Sequence, residues 1–191
     1  MSILVKIANE DWEFDQLFAL NYSTFVEEIP QHHENGSRRL VDKFHDKNTY
    51  IIAIDEHNEV GETGLQREVI GMMAINDIRP FSLDQKLPDL DQLLPPFTKP
   101  FEIRLLAVKN DKRGNVVFFK MFSKLNEIID ERKFDIGLIS GILNQQKLYT
   151  KIGFAPFGPL VGTGDAQFQP MYITWDMFKN NDLISKLALK F

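Results

Sequence analysis

A short polar segment, Lys109-Asn-Asp-Lys-Arg-Gly-Asn115, lies between the apolar run Phe101-Glu-Ile-Arg-Leu-Leu-Ala-Val108 and a second apolar run of helical period. Locally this is a buried strand, a turn carrying Arg113-Gly114, and a helix whose first amides lack partners. A helix start leaves several N–H groups unpaired and carries partial positive charge, so it suits an anion such as a phosphate. Glycine at 114 lets backbone approach such an anion closely. The alternative is a phosphate-free turn that only joins strand to helix.

Composition narrows the classes of chemistry. The 191 residues suit one domain, 1–191, with a full core. A formal charge of −5, and no basic run interleaved with aromatics, argues against a nucleic-acid partner. The absence of cysteine removes disulfides, thiolate metal sites and a cysteine nucleophile together. No run reaches membrane-spanning length and Met1 to Phe14 has no long apolar region, so a cytoplasmic protein is expected. The 16 phenylalanines read as a Phe-rich core, with a pocket for an apolar acyl chain as the alternative.

The elements that must position the turn follow from periodicity. Ile3 to Ile7 reads as a strand, and Asn9 as the N-cap of a helix running to about Glu28, where Pro30 stops it. A second short helix is expected from Arg38 to Phe44. Thr49 to Ile54 and Glu68 to Asn76 read as a hairpin whose turn region covers Asp55 to Arg67. Arg79 to Pro100 holds five prolines and reads as an irregular excursion with a turn near Asp89 to Leu94. After the Phe101–Val108 strand, a helix is expected over Asn115 to Glu131, with Val117, Met121, Leu125 and Ile128 on one stripe. A buried strand at Phe134 to Ser140, a helix at Leu143 to Lys151 capped by Gly153, a strand at Gln169 to Trp175 and a helix at Asp182 to Leu189 complete the chain. The order implies an α/β fold with a mixed, mostly antiparallel sheet and helices on both faces.

That order resembles the GNAT superfamily of acyltransferases. Phe101 to Val108 looks like its fourth strand, Lys109 to Phe118 like its pyrophosphate turn, and Leu148-Tyr149-Thr-Lys-Ile-Gly153-Phe154 like its late signature. The resemblance implies that the backbone of Leu106, Ala107 and Val108 pairs with pantetheine. The amides of Arg113, Gly114, Asn115 and Val116 would receive the pyrophosphate. Arg113 fits the turn pattern, whereas Val116 and Phe118 stand where the family has small residues. That departure leaves room for a donor on acyl carrier protein, whose arm lacks the CoA nucleotide.

Tyr22-Ser-Thr-Phe25-Val-Glu27-Glu28 followed by Leu40-Val-Asp42-Lys-Phe44 is similar to the opening of the branch that makes N-acyl amino acids and acyl-homoserine lactones. That branch carries a Ser/Thr-Arg pair after the strand glutamate, and this chain has Arg104-Leu105.

The resemblance implies transfer of an acetyl or longer acyl group from acyl-CoA or acyl carrier protein to an amine of a small molecule, amino acid or peptide, without a metal. Glu102 is the base candidate, because a partly buried carboxylate can have its pKa raised toward working pH. Its alternative is an ion pair with Arg104. The resemblance makes Tyr149 the acid candidate for the departing sulfur, its alternative being a packed tyrosine whose hydroxyl caps a backbone group. Asn144 lies near the position of the family's cofactor asparagine. A GNAT-like module that binds an acyl thioester or a protein without catalysis is the second functional class.

Other constellations lead elsewhere. His32-His33-Glu34 and Asp42-x-x-His45-Asp46 read as a solvated loop and a helix end. Gly137-Leu-Ile-Ser140-Gly141 misplaces the serine of a nucleophile elbow, and Gly162-Thr-Gly164 lacks a third glycine, so both read as turns.

Overall fold

The computed structural model describes residues 2–61, 64–163 and 166–181. The chain forms two compact units: Met1–Ile75 with Leu105–Glu127, and Asn76–Arg104 with Ile128–Phe191. Among the described residues eight strands form a mostly antiparallel sheet.

In the first unit, β1 (Ser2–Ile7), β2 (Asn48–Gly61), β3 (Gly64–Asn76) and the second half of β4 (Pro100–Val108) lie in that order. Ser2 pairs with Glu56 and Ile7 with Ile51 across the β1–β2 ladder. Helix α1 (Asp11–Tyr22) has Glu10, not Asn9, as its N-cap. The Asn9 side chain accepts from Lys6 Nζ at 2.6 Å, and the Glu13 carboxylate takes the Asn9 and Glu10 amides at 2.8 and 3.1 Å. Glu10 and Glu13 thus form a capping box that satisfies donors at the helix start.

The helix does not simply run on to Glu28. From Ser23 to Glu28 the chain is π-helical, closed by the Ile29 amide donating to the Thr24 carbonyl at 2.8 Å. The helix expected over 38–44 is absent, and only His45–Lys47 forms a 3₁₀ turn. Leu40 instead donates its amide to Phe18 O at 3.0 Å and accepts from Asn21 Nδ2 at 2.7 Å, while Arg38 has a φ of 50°. Backbone groups satisfied against α1 cannot also close a local helix. Strands β2 and β3 extend well into the polar stretch read as a turn, because a ladder needs paired backbone rather than apolar side chains. Leu17, Leu20, Ile52, Ile54, Val69, Met72 and Ala107 form the buried core of this unit.

In the second unit, the first half of β4 is followed by β5 (Ile136–Ile142), β8 (Ala166–Thr174) and β6 (Ala155–Pro156), with β7 (Val161–Thr163) also on β8. The glycines of β5 sit in a strand, not a turn, and they make room. A Cβ at Gly137 would lie 2.9 Å from the Phe101 ring, and one at Gly141 would lie 3.0 Å from the Tyr149 ring. Gly162 likewise lies in β7, while Gly164 falls outside the described residues.

The proline-rich excursion has one 3₁₀ turn, Leu90–Leu93. Rather than lying over the surface, it supplies core: Phe81, Leu83, Leu87 and Leu90 pack with Ile136, Leu138 and Phe157. Each such side chain contributes about 1.5–3 kcal/mol through burial. Helix α3 (Gln146–Ile152) ends at Gly153, whose φ of 108° is the left-handed cap expected of it. Helix α4 (Trp175–Lys179) follows β8, and the helix expected over Asp182–Leu189 lies outside the described residues.

Helix α2 (Asn115–Arg132) runs from the first unit into the second. Val117 and Met121 pack on Gly71, where a Cβ would meet them at 3.0 and 3.2 Å.

Candidate active site

Strand β4 is regular only in part. Its parallel ladder to β5 pairs Pro100 to Glu102 with Ile136 to Leu138 and ends there. Leu105 then takes a φ of 53°, which for a non-glycine residue marks a local distortion of the strand.

Beyond Val108 the Lys109 amide donates to Ile70 O at 2.9 Å, a 3₁₀ turn spans Asn110–Lys112, and α2 starts at Asn115. The expected strand–turn–helix is therefore present. A Cβ on Gly114 would meet nothing within 4 Å, so the turn is open there. Val116 is 45% exposed and points away from the core, whereas Phe118 is half-buried and stacks on Phe122 at 4.4 Å.

Each cation of the turn has an acidic partner. Lys109 pairs with Glu68 of β3, Lys112 with the fully buried Asp55 of β2 at 3.2 Å, and Arg113 with Glu28 of the π-helical segment. The Arg113 pair is bidentate, at 2.5 and 2.6 Å, and Arg113 Nε also donates to the Val108 carbonyl at 3.1 Å. The Lys112 and Arg113 amides are taken by Lys109 O and Asn110 O at 2.9 and 3.3 Å, so an anion would meet the amides from Gly114 onward, while the side-chain charge of the turn is already neutralised nearby.

Two cavities adjoin this turn within the first unit. One, of about 670 Å³, is lined by Gln16, Ala19, Leu20, Tyr22, Ser23, Glu27, Arg38, Arg67, Glu68 and Lys109. The other, of about 480 Å³, is lined by Thr24, Glu28, Val108, Asn110 and Asp111, together with Leu20, Ser23, Glu27 and Lys109, which it shares with the first. Glu27 and Arg38 form an ion pair at 2.5 Å. The π-helical segment walls both cavities, and such segments recur at functional sites.

The second unit holds the other candidates. Glu102 is 1% exposed. Its carboxylate accepts from the Ser82 amide and hydroxyl, both at 2.8 Å, and from the Leu83 amide at 3.1 Å, with Arg104 Nε at 3.6 Å. A carboxylate so enclosed clamps the start of the proline-rich excursion to β4, and the ion-pair alternative describes its surroundings better than free access to an amine. Tyr149 is half-buried on α3. Burial pushes its hydroxyl above the ordinary tyrosine pKa, and a hydrogen bond with the Ile142 backbone works the other way. The phenol thus stays protonated at neutral pH, as a proton donor requires. Asn144 is exposed in a 3₁₀ turn at Leu143–Gln145. Asp42 accepts from Asn48 Nδ2 at 2.8 Å and from the Phe44 amide, organising its own loop.

Sequence reasoning placed Glu27 and Glu28 in the motif shared with the N-acyl amino acid branch without giving either a role, and missed Arg38, Glu68 and the Glu28–Arg113 pair. One signal was present: two adjacent acids near the C-terminal end of a helix, where the dipole disfavours negative charge.

No protein-family model matches the chain, and no curated protein matches it. Solved structures do. BjaI, a CoA-dependent acyl-homoserine lactone synthase solved with MTA, superposes with a TM-score of 0.74 at 16% identity, over 98% of this chain and 90% of that one. The chain has the GNAT fold. FeeM, an N-acyl amino acid synthase from uncultured soil microbes, shares that fold at TM-score 0.69 and 15% identity, covering 97% of this chain and 99% of its own. The AHL synthase LasI matches at TM-score 0.69 and 15% identity, over 91% and 90% of the two chains. Among the described residues no helix is long and apolar enough to cross a membrane, and no group of three or more His, Cys, Asp or Glu could hold a metal ion.

Proposed function

We propose that this GNAT-fold chain is an N-acyltransferase that moves an acyl group from a pantetheine thioester to the amine of a small molecule or amino acid. The observation that carries this is the pair of adjoining cavities at the end of β4, one bounded by Val108 and the turn, the other lined by charged groups of both signs. Such a lining suits an acceptor bearing an amine and a carboxylate, and FeeM, of the same fold, is named an N-acyl amino acid synthase.

The backbone of Leu106, Ala107 and Val108 takes the pantetheine arm, and the amides of Gly114, Asn115 and Val116 take the donor phosphate, the Arg113 amide being held by Asn110 O at 3.3 Å. The neutral amine attacks the thioester carbonyl carbon, the C–N bond forms and the C–S bond breaks. The Val108 amide polarises the carbonyl oxygen. The departing thiolate takes up a proton, and the family resemblance gives Tyr149 the role of donor. The proton lost by the amine passes to Glu27, a carboxylate that lines both cavities, while the enclosed Glu102 holds β4 and Ser82 in place. The donor is acetyl-CoA or a longer acyl-CoA, or the same arm on acyl carrier protein.

Calorimetric titration with acetyl-CoA, long-chain acyl-CoA and acyl carrier protein, followed by mass spectrometry of mixed amines, tests the proposal. Binding of a donor with formation of an N-acyl product supports it. Binding without product from any amine supports a non-catalytic acyl-thioester module, and no binding of any donor removes both.

A further inference from the structure

Glu28 of the π-helical segment holds the guanidinium of Arg113 through two short contacts and also accepts from Asn110 Nδ2 at 3.2 Å. Arg113 belongs to the turn whose amides are assigned to the donor phosphate, and its Nε occupies the Val108 carbonyl. A guanidinium binds carboxylate and phosphate with the same forked geometry, so the two anions compete for it.

Resting on the acyl-transfer reading above, we infer that Glu28 is a specificity-determining residue, an internal competitor for the donor's phosphate on Arg113. A phosphate arriving at the turn either displaces Glu28 or binds against its charge. Displacement frees the forked Nη1/Nη2 face of Arg113 for the phosphate while its Nε keeps the Val108 carbonyl. Donors carrying phosphate are weakened by Glu28, and donors without phosphate are indifferent to it.

Titration of the full chain with CoA and with pantetheine, which lacks phosphate, tests this. Glu28→Gln is expected to bind CoA about fivefold tighter, the scale of one partly exposed ion pair, with pantetheine affinity unchanged. In the double variant Glu28→Gln with Arg113→Ala the gain is lost. Equal or weaker CoA binding by Glu28→Gln, or an equal gain for pantetheine, overturns the inference alone. Failure of both probes to bind wild type and variants overturns the acyl-transfer reading and the inference with it.

Discussion

Glu102 takes both the amide and the hydroxyl of Ser82, each at 2.8 Å, with its carboxylate almost wholly buried. Removing one partner from a buried charged hydrogen bond costs the remaining group its solvation as well as the bond. Glu102→Gln is therefore expected to destabilise the fold by about 1–3 kcal/mol, read as a lower midpoint in urea. The pH profile of turnover stays where it is if Glu102 is a clamp. A displaced profile at unchanged stability would restore Glu102 as the base.

Gly141 faces the ring of Tyr149, and a Cβ there would stand 3.0 Å from it and 3.2 Å from Met171 Sδ. Gly141→Ala is expected to shift the phenol by a few tenths of an ångström and to lower turnover about tenfold through misplacement. Gly36, where a Cβ meets nothing within 4 Å, is the control, and Gly36→Ala leaves turnover unchanged. Equal turnover in both variants would count against the role of Tyr149.

Burial raises the Tyr149 pKa, so the protonated phenol is favoured in the folded state. A raised folded pKa gives stability that is fully present below the ordinary tyrosine value of about 10 and lost as pH rises through the folded value. Melting temperatures from pH 8 to 11 should fall more steeply for wild type than for Tyr149→Phe above that value. Parallel curves would show that the phenol does not titrate with folding.

Some of this was legible in the sequence. The Phe101–Val108 strand, the helix after it and the Gly153 cap each follow from local pattern, and local pattern is what periodicity and turn chemistry report. The π-helical segment keeps a helical spacing of apolar residues, so the pattern of Phe14, Leu17, Phe18 and Phe25 cannot distinguish it from α-helix. The Glu28–Arg113 pair joins residues 85 apart, and the Glu102–Ser82 clamp joins residues 20 apart through an irregular excursion. Neither spacing has a sequence signature. The buried role of Phe81 and Leu83 was hidden by the prolines around them, which mark irregular backbone but say nothing of burial.

Glu13 is fully buried, pairs with Lys6 at 2.7 Å and closes the capping box of α1. Glu13→Ala is expected to cost about 1–2 kcal/mol, with hydrogen exchange accelerated over Asp11–Tyr22 ahead of global unfolding. Unchanged exchange there would mean that the cap adds little to α1.

Acyl transfer itself is tested most directly by amine-dependent release of free thiol from acyl-CoA and acyl carrier protein donors, in wild type and Tyr149→Phe. The expected result is release that requires an amine and falls on the order of a hundredfold in Tyr149→Phe, with donor affinity retained. Donor binding without amine-dependent thiol release, or release unchanged in Tyr149→Phe, would contradict the mechanism.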